Sequence, residues 1–199
     1  MAGRRLFVAI ELDDDARQAV AAYAARIFRS GNLRPGLLKW VRPEQIHITL
    51  AFLGDVPDAS VAGLVTAISA DIPVPPFTVR FGGLGVFPPR GAPRVLWMGV
   101  RAGGDEIAAV QAEIATRVRG AGVTLESRPF HPHLTLARWR ETRASDASAV
   151  APADRRVVAS CRVEYATLFQ SEVTPAGPLY RALARATLTA CRSPSSLDI

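Results

Sequence analysis

The chain contains three histidines, and two of them open nearly identical tetrapeptides, His47-Ile48-Thr49-Leu50 and His133-Leu134-Thr135-Leu136. On a β-strand residues i and i+2 share a face, so each tetrapeptide sets an imidazole beside a hydroxyl. Histidine, with an ordinary pKa of about 6.5, accepts or donates a proton near neutral pH, and two of them can serve one reaction as base and acid. The threonines add hydroxyl donors for an anionic oxygen without titrating themselves. A lone histidine on a strand is most often a packing or surface residue. Two matched motifs at matching places in a repeat point to one shared site.

Other chemistries fit less well. His131 shares strand parity with His133 but precedes Pro132, which cannot donate a ladder hydrogen bond, so His131 is read as an edge residue. His47, His131 and His133 could together offer three imidazoles to zinc. Against that, the sequence has no His-Glu-x-x-His stretch, no cysteine pair at ligand spacing and no acidic residue at a motif position. No metal and no cofactor are therefore expected. Gly82-Gly83-Leu84-Gly85 lacks the lysine of a P-loop and opens no helix, and it reads as a bulged strand. Gln170-Ser171 has no histidine nearby in sequence, which leaves a serine hydrolase remote.

The elements that must position the motifs follow from periodicity. Leu6 to Leu12 reads as a buried strand, and the Asp cluster after it caps a helix from about Ala16 to Phe28. Gly31, Pro35 and Gly36 mark a loop. From Ile46 to Leu53 strict alternation places Ile46, Ile48, Leu50 and Phe52 on one face and His47, Thr49 and Ala51 on the other. Residues 59–70 read as a helix, Phe77 to Phe87 as a bulged strand and Val95 to Val100 as a strand. A second helix from about Glu106 to Arg119 carries Ile107, Val110, Ile114 and Val118 at helical spacing, ahead of the strand with His133 and Thr135. Leu6 precedes His47 by 41 residues and Leu96 precedes His133 by 37, so each half delivers its His-x-Thr pair from a similar unit. After a weakly helical Ala/Ser-rich stretch from Arg138 to Asp154, strands return over Val157 to Phe169 and Tyr180 to Leu188. The class expected is α+β, with two pseudo-symmetric lobes whose antiparallel sheets line a central cleft and whose helices lie outside. Residues 1–192 form one bilobed domain in this reading and 193–199 a flexible tail.

Composition sets the boundary conditions. A chain of 199 residues suits one domain or two closely joined lobes. Its 24 Lys and Arg against 18 Asp and Glu favour polyanions as partners. Lys39 is the only lysine, and guanidinium suits bidentate phosphate recognition, although a GC-rich coding sequence would also enrich alanine and arginine. Cys161 and Cys191 are too few for a disulfide framework, which fits a reducing cytoplasm. The opening apolar run is cut short by Glu11 and Asp13 to Asp15, too early for a signal peptide, and no apolar stretch reaches the ~20 residues of a membrane helix. A cytoplasmic monomer without membrane contact is expected.

The chain resembles the two-histidine phosphoesterase superfamily, and within it the RNA 2′,3′-cyclic phosphodiesterases once called 2′-5′ RNA ligases. The likeness rests on Arg4 to Ile10, Trp40 to Gly54, Pro93 to Trp97, Phe130 to Arg138, Leu168 to Glu172 and Gly177 to Tyr180. It implies a bilobed α+β fold and metal-independent opening of a 2′,3′-cyclic phosphate at an RNA end to leave a 2′-phosphate, with tRNA fragments among the candidate substrates. By that resemblance His47 is the proton donor to the departing 3′ oxygen and His133 the acceptor that activates water, while Thr49 and Thr135 hold phosphate oxygens. The reverse reaction, joining RNA ends through a 2′-5′ bond, follows from microscopic reversibility. Arg138 matches a phosphate-contacting arginine, yet strand parity sets it opposite His133, so its reach requires a strand end, a twist or a bulge. Two other functions remain open on the residues alone: a nucleic-acid-binding module that keeps the cleft without turnover, and a zinc-dependent phosphohydrolase.

Overall fold

Strand-period runs and helix-period runs alternate in the sequence, and the two periods separate into a sheet and a helical layer packed on it. The computed structural model describes residues 3–29, 38–147, 150, 156–175 and 177–190. Among these residues nine strands join in one sheet. They are β1 (Gly3–Glu11), β2 (Leu38–Trp40), β3 (His47–Pro57), β4 (Phe77–Phe87), β5 (Val95–Ala102), β6 (His133–Trp139), β7 (Ala159–Val163), β8 (Tyr165–Thr174) and β9 (Gly177–Thr187). The helices are α1 (Asp14–Arg29), α2 (Asp58–Ser69) and α3 (Gly104–Gly120). The class is α+β, as expected.

The strand order is β7-β4-β5-β6-β3-β1-β8-β9, with β2 added on β6. One lobe is β3-β1-β8-β9 and the other β7-β4-β5-β6, and both ladders are antiparallel. The lobes are joined into one sheet where Ile48 of β3 faces Leu134 of β6. The stretch from Val157 to Phe169, expected as one strand, is two: β7 pairs with β4 and β8 with β1, at opposite ends of the path. The chain crosses between lobes at Glu164. Apolar residues run on both sides of that residue, so no break in periodicity marks the crossing.

The helices form for local reasons and bury what their spacing indicates. At the start of α1 the Ala16 N–H donates to Asp13 Oδ1 at 2.8 Å, and Asp14, Asp15 and terminal Arg26 and Arg29 complement the helix dipole. Its Ala16, Val20 and Ala24 are buried. In α3 Ile107, Val110, Ile114 and Val118 are buried as the spacing requires. One contiguous core takes residues from both lobes, so neither lobe's apolar face is complete alone. Of the weakly helical stretch, Ala144–Asp146 forms a short 3-10 turn. Residues 148, 149 and 151–155 lie outside the described residues, as do the loop at Gly31, Pro35 and Gly36, Cys191 and the 193–199 tail.

Two bulges correct the face assignment in the motif strands. Thr49 faces Ala9 but Ala51 faces Val8, so β3 carries one extra residue at Leu50. Thr135 faces Trp97 but Ala137 faces Leu96, so β6 carries one at Leu136. Leu50 and Ala51 are both buried, as are Leu136 and Ala137. Beyond each bulge the alternation restarts out of phase. Phe52, expected among the core residues, is therefore 44% exposed on the cleft face, and Ala51 takes the core position. Arg138 is turned to the side of His133 and Thr135 by the same device.

Ile48→Ala should lower unfolding free energy in urea by about 2–5 kcal/mol, the usual cost of emptying a tightly packed core position. Phe52→Ala should change it by less than ~0.5 kcal/mol, because that ring lies outside the core. Equal losses in the two variants would contradict the bulged register.

Candidate active site

The motif strands are neighbours in the sheet, and the Ile48–Leu134 pair points into the core while the residues flanking it point into the cleft. His47, Thr49, Thr135 and Arg138 line one cleft of about 700 Å³. His133 stands on the same face of β6, with its ring 5.1 Å from that of Phe87. The structure thus brings together all five residues expected from the sequence. It also brings Arg5 and Lys39 to the cleft, which with Arg138 make its lining strongly basic. Lys39 lies opposite Arg138 on β2, a strand that the sequence did not reveal.

The two imidazoles are held alike. His47 Nδ1 bonds the carbonyl of Gln45 at 2.8 Å, and His133 Nδ1 bonds the carbonyl of His131 at 2.7 Å, in each case two residues upstream. A carbonyl only accepts, so Nδ1 carries the hydrogen and each Nε2 is left for proton transfer. His47 Nε2 lies 3.1 Å from Thr49 Oγ1, which donates to it when the ring is neutral.

Their surroundings differ. Phe7 stacks on the His47 ring at 5.0 Å, and Tyr180 meets it edge-on at 5.5 Å. Burial among these rings pushes the His47 pKa down to about 4; the Gln45 hydrogen bond opposes that shift and a charge on His133 adds to it. Glu11, the strand partner of His47, also favours its protonated form. The Glu11 carboxylate is itself fixed by the Thr167 hydroxyl at 2.8 Å and by Arg185 at 3.3 Å. At the corresponding place beside His133 stands Gly99. The His133 pKa is also lowered, first by burial, with the His131 carbonyl opposing and the His131 and Arg138 charges adding. Burial raises the Tyr180 pKa, opposed by nearby Arg138.

Sequence reasoning missed several residues that shape this site. Phe7 and Tyr180 reach His47 only through strand pairing, and Gln45 donates to the carbonyl of Pro178, tying the loop before β3 to the start of β9. Phe52 carried a readable signal. It stands five residues after His47 as Arg138 stands five after His133, each behind a Leu-Ala pair. The Arg5 guanidinium lies 4.9 Å above its ring. His131 is exposed, 6.3 Å from His133 between ring centres, and among the described residues no group of three His, Cys, Asp or Glu is placed to hold a metal ion. No helix among the described residues is long and apolar enough to cross a membrane.

A family model described as the 2′-5′ RNA ligase superfamily matches residues 12–174. An RNA 2′,3′-cyclic phosphodiesterase of Archaeoglobus fulgidus is 32% identical over 179 residues, which cover 90% of this chain and 97% of that one. Among solved structures, E. coli LigT in its apo form is similar with a TM-score of 0.75 and 28% identity, over 95% of this chain and 99% of that chain. LigT complexed with 3′-AMP gives 0.74 and 28% over the same shares, 95% and 99%. The family model spans both His-x-Thr strands and the relative spans nearly the whole fold: the chain belongs to the 2′-5′ RNA ligase superfamily.

Proposed function

We propose that this protein is an RNA 2′,3′-cyclic phosphodiesterase that opens the cyclic phosphate by histidine acid-base catalysis and leaves a 2′-phosphate. The observation that carries the reading is two matched His-x-Thr pairs, each with Nδ1 tied to a backbone carbonyl and Nε2 left for chemistry: His47, Thr49 and Thr135 line one basic cleft, and His133 stands on the same face of β6, close enough for its charge to act on His47. His133 Nε2 takes a proton from water as its oxygen bonds phosphorus. The bond from phosphorus to O3′ breaks, and O3′ takes the proton of His47 Nε2. Thr49 and Thr135 donate to the non-bridging oxygens, and Arg138 offsets their charge. The family, the relative's name and the nucleotide in the LigT neighbour support an RNA end as substrate, with tRNA fragments among the candidates. The same pair acting on a 5′-hydroxyl in place of water would join two RNA ends.

The donor role requires a charged His47, yet burial keeps that ring neutral at neutral pH in the free protein. The substrate resolves this conflict. A phosphodiester anion beside the ring favours the imidazolium, adding to the effect of Glu11. Once protonated, His47 no longer accepts from Thr49, whose hydroxyl is released to the phosphate.

His47→Ala and His133→Ala should each lower hydrolysis by ~10²–10⁴-fold, and the double variant by less than the product of the two if they act as a unit. Near-wild-type turnover in either single variant would remove the assignment. An RNA oligonucleotide with a 2′,3′-cyclic end should yield a 2′-phosphate at an unchanged rate after exhaustive EDTA treatment, because no metal-bound water is invoked. Activity lost on chelation and restored by zinc would favour the metallohydrolase. The profile of kcat/KM against pH should be bell-shaped. Removing His133 should flatten its acidic limb, where the acceptor becomes protonated, and removing His47 should flatten its alkaline limb.

A further inference from the structure

The cleft continues past His47 and Thr49 along the first lobe, where Arg5, Phe52 and Ser171 bound it. Arg5 and Phe7 flank the buried Leu6 and face the cleft, so Arg5 stands two residues, about 7 Å of strand, from the ring that stacks on His47. Leu6 pairs with Gln170, and one rung beyond that pair Arg5 comes opposite Ser171. The next arginine, Arg4, is held on the opposite face by Asp58 at 2.7 Å. Arg5 is held differently. Its guanidinium lies 4.9 Å above the Phe52 ring and makes no ion pair with its strand partner Asp55. Among the described residues Arg5 makes no hydrogen bond, and the Ser171 hydroxyl makes none either. The contact with Phe52 uses none of the N–H donors, so a positioned guanidinium and a hydroxyl face one part of the cleft with nothing bound to them.

Their position relates them to the chemistry. In the proposed reaction O3′ leaves toward His47, so the ribose that carries it lies over the first lobe. The chain preceding that ribose then runs along the same lobe, and its first charged group is the phosphate on the 5′ oxygen. We propose that Arg5 and Ser171 form a second phosphate subsite, which binds the 5′-phosphate of the nucleotide that bears the cyclic end. The inference rests on the acid-base reading of His47 and His133, which sets the ribose on the side of His47. Arg5 offers paired N–H donors to two phosphate oxygens, and Ser171 offers its hydroxyl to one. The subsite gives the cleft a means of selection. In an RNA chain a phosphate always precedes the terminal ribose, whereas a cyclic nucleoside phosphate has none there. A contact to phosphate reads no base, so this selection holds for any terminal sequence.

The test compares adenosine 2′,3′-cyclic phosphate with and without a 5′-phosphate and reads the ratio of the two kcat/KM values within each protein. Wild type, Arg5→Gln, Arg5→Lys, Ser171→Ala and Lys39→Gln are assayed. The wild type should favour the 5′-phosphorylated substrate by about 10- to 100-fold, as expected for a charge-assisted phosphate contact. Arg5→Gln should bring the ratio close to one, Arg5→Lys should keep part of it, and Ser171→Ala should lower it about 2- to 10-fold. Lys39 also lines the cleft but belongs to β2, beside Arg138, so Lys39→Gln should leave the ratio within about twofold. An equal fall in Lys39→Gln would show a response to cleft charge in general and would overturn the subsite. So would a wild-type ratio near one, or an Arg5→Gln protein that loses both substrates alike, because Arg5 would then serve the base or the ribose. Each of these leaves the acid-base reading intact. A wild type that hydrolyses neither substrate would overturn the acid-base reading on which the subsite rests.

Discussion

The site depends on one backbone register, the pairing of Ile48 with Leu134. Each lobe can place an imidazole and a hydroxyl on one face of its own strand, but neither lobe alone holds a proton donor and a proton acceptor on either side of a phosphate. The two half-sites become one where β3 and β6 meet. A slip of one residue would turn Ile48 or Leu134, both fully buried, toward the cleft and send the histidine into the core. The apolar cost of that exchange is what locks the register, so the core fixes the chemistry. Extended pairing between the lobes would flatten the cleft. A narrow junction lets the sheets diverge on either side of it.

Symmetry supplies two equivalent proton carriers, and departures from symmetry distinguish them. Both motif strands bulge at Leu-Ala, and both histidines anchor Nδ1 to the carbonyl two residues before. After the bulges one strand presents Phe52 and the other Arg138. Beside the histidines one lobe presents Glu11 and the other Gly99. The lobe of His47 therefore combines close ring packing with a nearby carboxylate, so its proton affinity is low without an anion and responsive to one. The lobe of His133 is more open. A donor that charges only when substrate arrives and an acceptor open to the incoming oxygen are consistent with the roles assigned to them.

What could be read from the sequence was whatever survives local irregularity. The period-2 placement of His47 with Thr49 and of His133 with Thr135 needs only three consecutive residues of extended backbone, and both pairs lie ahead of the bulges. The apolar spacing of α3 was equally plain. Strict alternation failed one residue later. It put Phe52 in the core and Arg138 away from the cleft, although the repeated Leu-Ala pair was visible in both motifs. Arg138 entered only through family resemblance, and a bulge, one of three remedies considered, is what brings it round. The crossing at Glu164 was hidden because the apolar pattern continues through it. Phe7, Tyr180, Gln45 and Lys39 belong to the site through pairings between distant segments, which no local window contains.

The central claim is that His47 is kept neutral by its packing until a phosphate anion charges it. Histidine-selective ¹⁵N NMR titration of the wild-type protein, free and saturated with adenosine 2′-phosphate, measures this directly. In the free protein His47 should titrate well below the ordinary value of about 6.5, toward about 4, and it should move upward when the phosphate is bound. A His47 that titrates at its ordinary value in the free protein, or one that does not move when the phosphate binds, would contradict it.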